Sequence, residues 1–208
     1  MSVCADLHKL AWRGTRFSFP FAVNQIPNGI YVLFEKGEVA HEAERIVRIG
    51  THTGDRQLPS RMREHFVNKN KDRSVFRKNI GRALLNRAND PFLKQWEIDM
   101  TSHEARQRWA STIDSSRLKA IEGDVTKYIQ GTFSFVLFRI DDKASRMTLE
   151  SKMISTLSWC DECQPSQAWL GLSSPKLQIR ESGLWNANEL YKEPLHQTDI
   201  DRLAACLV

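Results

Sequence analysis

Apolar positions along this chain alternate between a period of two and a period near four, and the changes mark its elements. Gly29 to Phe34 and Arg45 to Gly50 are apolar runs rich in β-branched and aromatic residues, which predict successive strands. Lys36-Gly37-Glu38 turns the chain between them, so the simplest connection is a hairpin with a loop longer than two residues. Thr51 to Gln57 reads as loop, with Gly54-Asp55 as its turn signal. Leu58, Met62 and Phe66 then recur every four residues, predicting an amphipathic helix whose first turn tolerates Pro59. Ser74 is placed as the N-cap of a second helix reaching Arg87, with Phe76, Ile80, Ala83 and Leu84 on its apolar face.

The pattern weakens from Asp90 to Ser116, which reads as an insertion of short helices and loops. Leu118, Ile121, Val125 and Ile129 restore the helical period up to Gly131. Thr132 to Ile140 is a nearly continuous apolar run, as expected of a central strand covered on both faces. Ala144 to Leu157 predicts a helix with Leu149, Met153 and Leu157 inward, and Glu150 lies beside that face, where an unpaired carboxylate is costly. Short strands are expected around Ala168 to Leu172 and Leu177 to Arg180. A Gly183-Leu-Trp-Asn186 loop follows, then a last helix from Thr198 with Thr198 and Asp201 spaced as a capping box. Near the start, Phe17, Phe19 and Phe21 alternate as an edge strand would, and Pro20 argues against a central one. The expected organisation is an N-terminal extension over 1–26, a core over 27–160 interrupted at about 90–116, and a C-terminal extension over 161–208.

At 208 residues, with 41% hydrophobic and 26% charged residues, the composition is that of an ordinary globular protein. No apolar stretch is long enough to cross a bilayer, and Met1 to Arg16 lacks the succession of a signal peptide, so a cytoplasmic location is the expectation. Four cysteines are then reduced thiols. Cys160-Asp-Glu-Cys163 has the spacing of one zinc half-site, but a structural site needs four ligands. No second closely spaced Cys or His pair accompanies it, and partly buried thiols are the expectation. The net charge of +5 is unevenly spread. Between Arg56 and Arg87 ten Lys or Arg face two acids, so that segment is +8 and the rest about −3. A local basic patch on a near-neutral chain is an electrostatic footprint for phosphate backbones.

Gly29-Ile30-Tyr31 in the first strand, Arg48-Ile49-Gly50 in the second, Arg61 and His65 at i, i+4 in the next helix and Glu150 in the helix after the central strand form an ordered set. Together they resemble the GIY-YIG nuclease family, over roughly Asn28 to Trp159. The resemblance implies an α/β (α+β) fold built on a small three-stranded antiparallel sheet flanked by helices. It implies a metal-dependent endonuclease hydrolysing phosphodiester bonds, with double-stranded DNA as partner ahead of RNA. The alternative is a non-catalytic DNA- or RNA-binding module of the same fold. By motif, Tyr31 stands near the attacking water, Arg48 takes the place of the second motif tyrosine, Arg61 contacts the scissile phosphate and His65 matches a His found one turn later in some members. Glu150 matches the ligand of a single Mg2+ or Mn2+ per active site. Asn186, with Asn188 in reserve, stands for a downstream asparagine. His52, Arg73, Arg77, Lys78 and Arg82 are the expected nucleic-acid contacts, and a homodimer is expected by analogy with enzymes that cut both strands.

Each role has a physical basis. A hard divalent cation prefers oxygen ligands and often takes only one or two protein carboxylates. An arginine fork suits phosphate oxygens and stays cationic. A tyrosine with an ordinary pKa of about 10 is a weak base near neutrality, and nearby cations lower that pKa. At this level Tyr31, His65 and His52 all remain candidates for accepting the water's proton.

Overall fold

The computed structural model describes residues 2–208, which form an α+β fold around one antiparallel sheet. Its strands are β1 (Phe17–Ser18), β2 (Gly29–Ala40), β3 (Ala43–Gly50) and β4 (Phe133–Arg139), in the order β1-β4-β2-β3. Three strands were expected and four are present, because Phe17 and Ser18 pair with Phe135 and Ser134 and extend the sheet beyond β4. Helices cover both faces. α1 (Val3–Trp12), α7 (Lys143–Ser158) and α9 (Gln197–Ala204) pack on one side, where Ile30, Val32, Phe34, Ile46, Val136 and Phe138 meet Leu7, Leu149, Met153 and Leu203. On the other side α2 (Leu58–Phe66), α3 (Val75–Arg87) and α6 (Ser115–Thr132) bury Met62, Phe66, Phe76 and Val125 against Tyr31, Leu33, Phe135 and Leu137. Two apolar covers explain why β2 and β4 read as unbroken hydrophobic runs. Between α3 and α6 the insertion carries two short helices, α4 (Leu93–Trp96) and α5 (His103–Trp109).

The structure corrects several local expectations. β2 does not turn at Lys36-Gly37-Glu38; it passes through an irregularity between Phe34 and Val39 and runs on to Ala40. The reversal is a two-residue turn at His41-Glu42, with φ of 51° and 61°. Such turns usually announce themselves by Asn or Gly, which this one lacks. The first helix was not anticipated; its Ser2 cap accepts from the Ala5 N–H, and six of its residues are buried. Ala168 to Leu172 and Leu177 to Arg180 are not strands. They form a short 3-10 helix, Leu170–Ser173, and α8 (Leu177–Ser182), since short apolar runs do not discriminate period on their own. The last helix is capped two residues earlier than its sequence suggests, by His196 with Asp199 in a capping box. No helix among the described residues is long and apolar enough to cross a membrane.

The C-terminal segment closes the free side of β3. Trp185 donates its backbone N–H to the Val47 carbonyl at 2.8 Å. Asn186 Oδ1 accepts from the Ile49 N–H at 3.1 Å while its Nδ2 donates to the Ile49 carbonyl at 2.8 Å. Arg45, fully buried, fixes the approach to this segment by donating to Glu38 and to the Gly183 carbonyl.

Gly29 is required by close approach: a Cβ there would lie 2.3 Å from the Phe138 carbonyl oxygen of β4. Gly29→Ala should therefore cost about 2 kcal/mol or more. Gly123→Ala, in mid-α6 with nothing within 4 Å of the new methyl, should gain about 0.5–1 kcal/mol. Urea unfolding reads both, and an unchanged midpoint for Gly29→Ala would contradict the packing described.

Candidate active site

The register of β2 on β3 sets Tyr31 opposite Gly50. The tyrosine ring lies so closely over that glycine that a Cβ would fall 2.1 Å from its hydroxyl. The hydroxyl projects across to α2, where it sits 2.8 Å from His65 Nε2. His65 Nδ1 is in turn 2.7 Å from Ser74 Oγ. Ser74 caps α3, its Oγ accepting from the Arg77 N–H at 3.2 Å. One chain of contacts thus joins strand, helix and helix cap.

His65 is fully enclosed. Burial, then the charges of Arg61, Arg48 and Arg77, hold its pKa well below the usual histidine value, so the ring is neutral. Arg77 supports it from below, donating to the His65 carbonyl and, through Nε and Nη2, to the buried Glu122 of α6. Glu122 also accepts from the Lys71 N–H, closing the join between the two helices.

In front of this chain opens a cleft of about 710 Å³, lined by Arg48, Arg61, Glu150, Ser151, Asn186 and Glu189 among others. Arg48 projects from edge strand β3. Its Nη1 donates to the Trp185 carbonyl at 2.9 Å and its guanidinium lies over the Phe76 ring. Its buried Nε has no hydrogen-bond partner among the described residues. Arg61 donates to Glu64 and to the Arg73 carbonyl, both at 2.9 Å. Burial alone would lower its pKa, but the Tyr31 hydroxyl and Glu64 beside it more than offset that, and the net shift is upward. Glu150 comes from the opposite layer, on α7, and reaches the cleft past the end of β3. Burial pushes its pKa up, against the pull of Arg48 and an N–H from Thr51. The cleft therefore sets two arginines beside a partly desolvated carboxylate, with Lys152, Lys192, Glu189 and Glu193 also on its walls.

A model of the GIY-YIG domain matches residues 15–207, almost the whole chain. The chain belongs to the GIY-YIG domain family. No curated protein and no solved structure gives a significant match. The family is one of endonucleases, enzymes that hydrolyse phosphodiester bonds.

Of the residues expected in a GIY-YIG site, Arg48, Arg61, Glu150 and Asn186 line the cleft, and Tyr31 and His65 lie directly behind it. Asn188 lines it as well, while Asn186 has both amide ends bound to the Ile49 backbone and acts as a clamp on β3. His52 is also committed. Its Nε2 accepts from the Gly29 N–H at 3.3 Å, which puts its proton on Nδ1, 2.7 Å from the Gly54 carbonyl. Burial lowers its pKa, so it holds a loop and neither bears charge for a phosphate nor offers a free nitrogen to water.

The basic segment needs a larger correction. Arg77 is fully buried on Glu122, and Arg82 is buried with a two-pronged contact to Glu97. Lys78 pairs with Asp72 at 3.2 Å. Of the four expected contacts in the segment Arg73 is the exposed one, 3.9 Å from Glu64, and Arg56, Arg63, Lys69 and Arg87 are exposed too. Part of the cationic charge is thus spent inside, where Arg77 and Arg82 pair with acids distant in sequence. Ser74 and Glu122 were missed as supports of the site. The cap signal of Ser74 was legible, but its partnership with His65 depends on how α2 meets α3. Glu122 sits next to Ile121 on an apolar helix face, a weak sign of a buried pair.

A neutral buried His65 has a consequence for stability. An unfolded histidine titrates near about pH 6.5. Below that pH the unfolded chain binds a proton that the folded site refuses, so the His65 contribution is present above it and is lost on acidification. His65→Gln should flatten the fall in stability below about pH 6.5 by up to one proton, about 1.4 kcal/mol per pH unit. Urea unfolding between neutral and mildly acidic pH measures it; an unaltered slope would mean that His65 protonates freely in the folded state.

Proposed function

We propose that this chain is an endonuclease that hydrolyses DNA phosphodiester bonds in the cleft between Arg48, Arg61 and Glu150, with a divalent cation held at Glu150. The observation that carries the reading is the convergence of those three side chains, from three different elements, in front of the Tyr31–His65 pair. Glu150 fits a hard cation: it is a carboxylate with oxygen donors only, and a cation offsets the burial that now disfavours its charge. Mg2+ or Mn2+, when bound there, would lend positive charge to the phosphate and the leaving oxygen.

The chain's own residues do the rest. Arg61 sits between the Tyr31 hydroxyl and the open cleft and neutralises charge building on a phosphoryl oxygen. Arg48, steadied by the Trp185 carbonyl, lines the cleft and offers its guanidinium charge to a second oxygen. His65, kept neutral, takes the tautomer protonated on Nδ1 toward Ser74, so its Nε2 accepts from the Tyr31 O–H. The Tyr31 hydroxyl is thereby held in one direction beside Arg61, at the back of the cleft. Exposed Arg73, on the same side as Arg61, supplies a backbone contact outside the scissile site.

Plasmid cleavage with and without Mg2+ tests the reading. Glu150→Gln and Arg61→Ala should each lose about 100-fold or more, and Tyr31→Phe should be impaired while still binding DNA. Undiminished cleavage by Glu150→Gln would remove the cation assignment. Binding without cleavage under any divalent ion would instead leave a DNA- or RNA-binding module. The salt dependence of DNA binding separates surface from buried arginines. Arg73→Ala should lower the slope of log affinity against log salt by about 1, whereas Arg77→Met should leave it unchanged in whatever fraction folds.

A further inference from the structure

A second cluster of reactive side chains lies at the far end of the β2–β3 hairpin from Tyr31 and has no part in the cleft. Cys160 and Cys163 bracket the turn that follows α7, closed by the Cys163 N–H on the Cys160 carbonyl at 3.3 Å. Cys4, in the first turn of α1, brings its Sγ to 3.3 Å from that of Cys163. His41, at the hairpin tip, places Nε2 at 3.1 Å from Cys163 Sγ and 3.4 Å from Cys160 Sγ. The four donor atoms all lie within 4.8 Å of one another. In a tetrahedral zinc site the ordinary Zn–S and Zn–N bond lengths put donor atoms about 3.5–3.8 Å apart, so small side-chain adjustments bring the cluster to the dimensions of a filled site.

The surroundings of the imidazole support a metal role. His41 Nδ1 is 3.2 Å from the Glu162 carboxylate, which fixes the proton on Nδ1 and turns Nε2 toward the sulfurs. The side chain is buried, although it springs from a left-handed residue at a hairpin tip, where a solvent-facing polar group would be ordinary. A second histidine, His8, adjoins the group but is committed elsewhere. Its Nε2 accepts from the Ile46 N–H at 3.2 Å and its Nδ1 faces the Cys4 carbonyl at 2.9 Å. The donor set is therefore three thiols and one imidazole.

We infer that Cys4, His41, Cys160 and Cys163 form a closed structural zinc site. Three sulfurs and a nitrogen select Zn2+ over the oxygen-seeking Mg2+, so this metal is distinct from the cation proposed at Glu150. With four protein ligands there is no open position for chemistry. The ion would tie α1, the hairpin tip and the end of α7 together. The sequence displayed only the Cys160–Cys163 half-site, because its partners lie far away, one near the N-terminus and one in a turn.

The test uses the full chain, purified without chelators. Elemental analysis should find about one zinc per chain, and under native conditions Cys206 alone should react readily with a thiol reagent. Titration with a mercurial should release the zinc and lower the melting temperature. Cys160→Ser, at the partly exposed ligand, should lose the bound zinc, and Glu150→Gln should keep it. Should the cysteine variant not fold, wild-type chain loaded with Co2+ decides: thiolate charge transfer and strong tetrahedral ligand-field bands are expected. Absence of stoichiometric zinc together with a cobalt spectrum lacking those bands would overturn the inference, as would a native Cys4–Cys163 disulfide found by mass spectrometry. Neither result would bear on Mg2+-dependent cleavage.

Discussion

The contact between the Tyr31 hydroxyl and His65 Nε2 is the constraint on which the candidate site depends. It requires a bare backbone at Gly50, so that the ring can lie flat against the neighbouring strand. It requires α2 to present His65 inward, which Ser74 and Arg77 enforce by holding its other nitrogen and its carbonyl. Remove any of these and the tyrosine loses its direction. The motif glycines are therefore statements about distance: one lets β4 approach β2, and the other lets a phenol cross β3.

Electrostatics within the protein follow from the same enclosure. A neutral histidine surrounded by three arginines is stable because burial and those charges act in the same direction. Arg77 can be buried because Glu122, Thr126 and two backbone carbonyls satisfy its guanidinium. Breaking such a pair leaves an uncompensated charge, which costs far more than an exposed pair contributes. The fold thus keeps Arg77 neutralised by Glu122 behind the cleft, while Arg48 and Arg61 stand on its wall.

Much of this was legible in the sequence. The strands of β2, β3 and β4 and the helices of α2, α3, α6 and α7 followed from period, and the motif resemblance pointed to Arg48, Arg61, Glu150 and Asn186, which the structure brings to one cleft. What escaped was set by tertiary pairing. The charge of Arg77 and Arg82 was visible, but their partners Glu122 and Glu97 were not, so interior ties were counted as surface. His41 and Glu42 turn the chain without the residues that normally advertise a tight turn. Helix α1 was missed because its buried face mixes Cys4, Ala5, His8 and Ala11 with only Leu7 and Leu10, which leaves a weak apolar period. Asn186 was placed at the cleft by analogy, and the structure gives it a different task there.

That task belongs to a wider arrangement at the rim of the sheet. An exposed edge strand is a template on which another chain can add itself. In this protein Trp185 and Asn186 occupy the template along β3, and the same Trp185 carbonyl aims Arg48 into the cleft. The Trp185 indole also donates to Glu35 in the core. One short stretch of backbone, far from the motif in sequence, both covers the edge of the sheet and directs the Arg48 side chain into the cleft. Selection for colloidal safety and selection for the placement of Arg48 would then both act on Trp185.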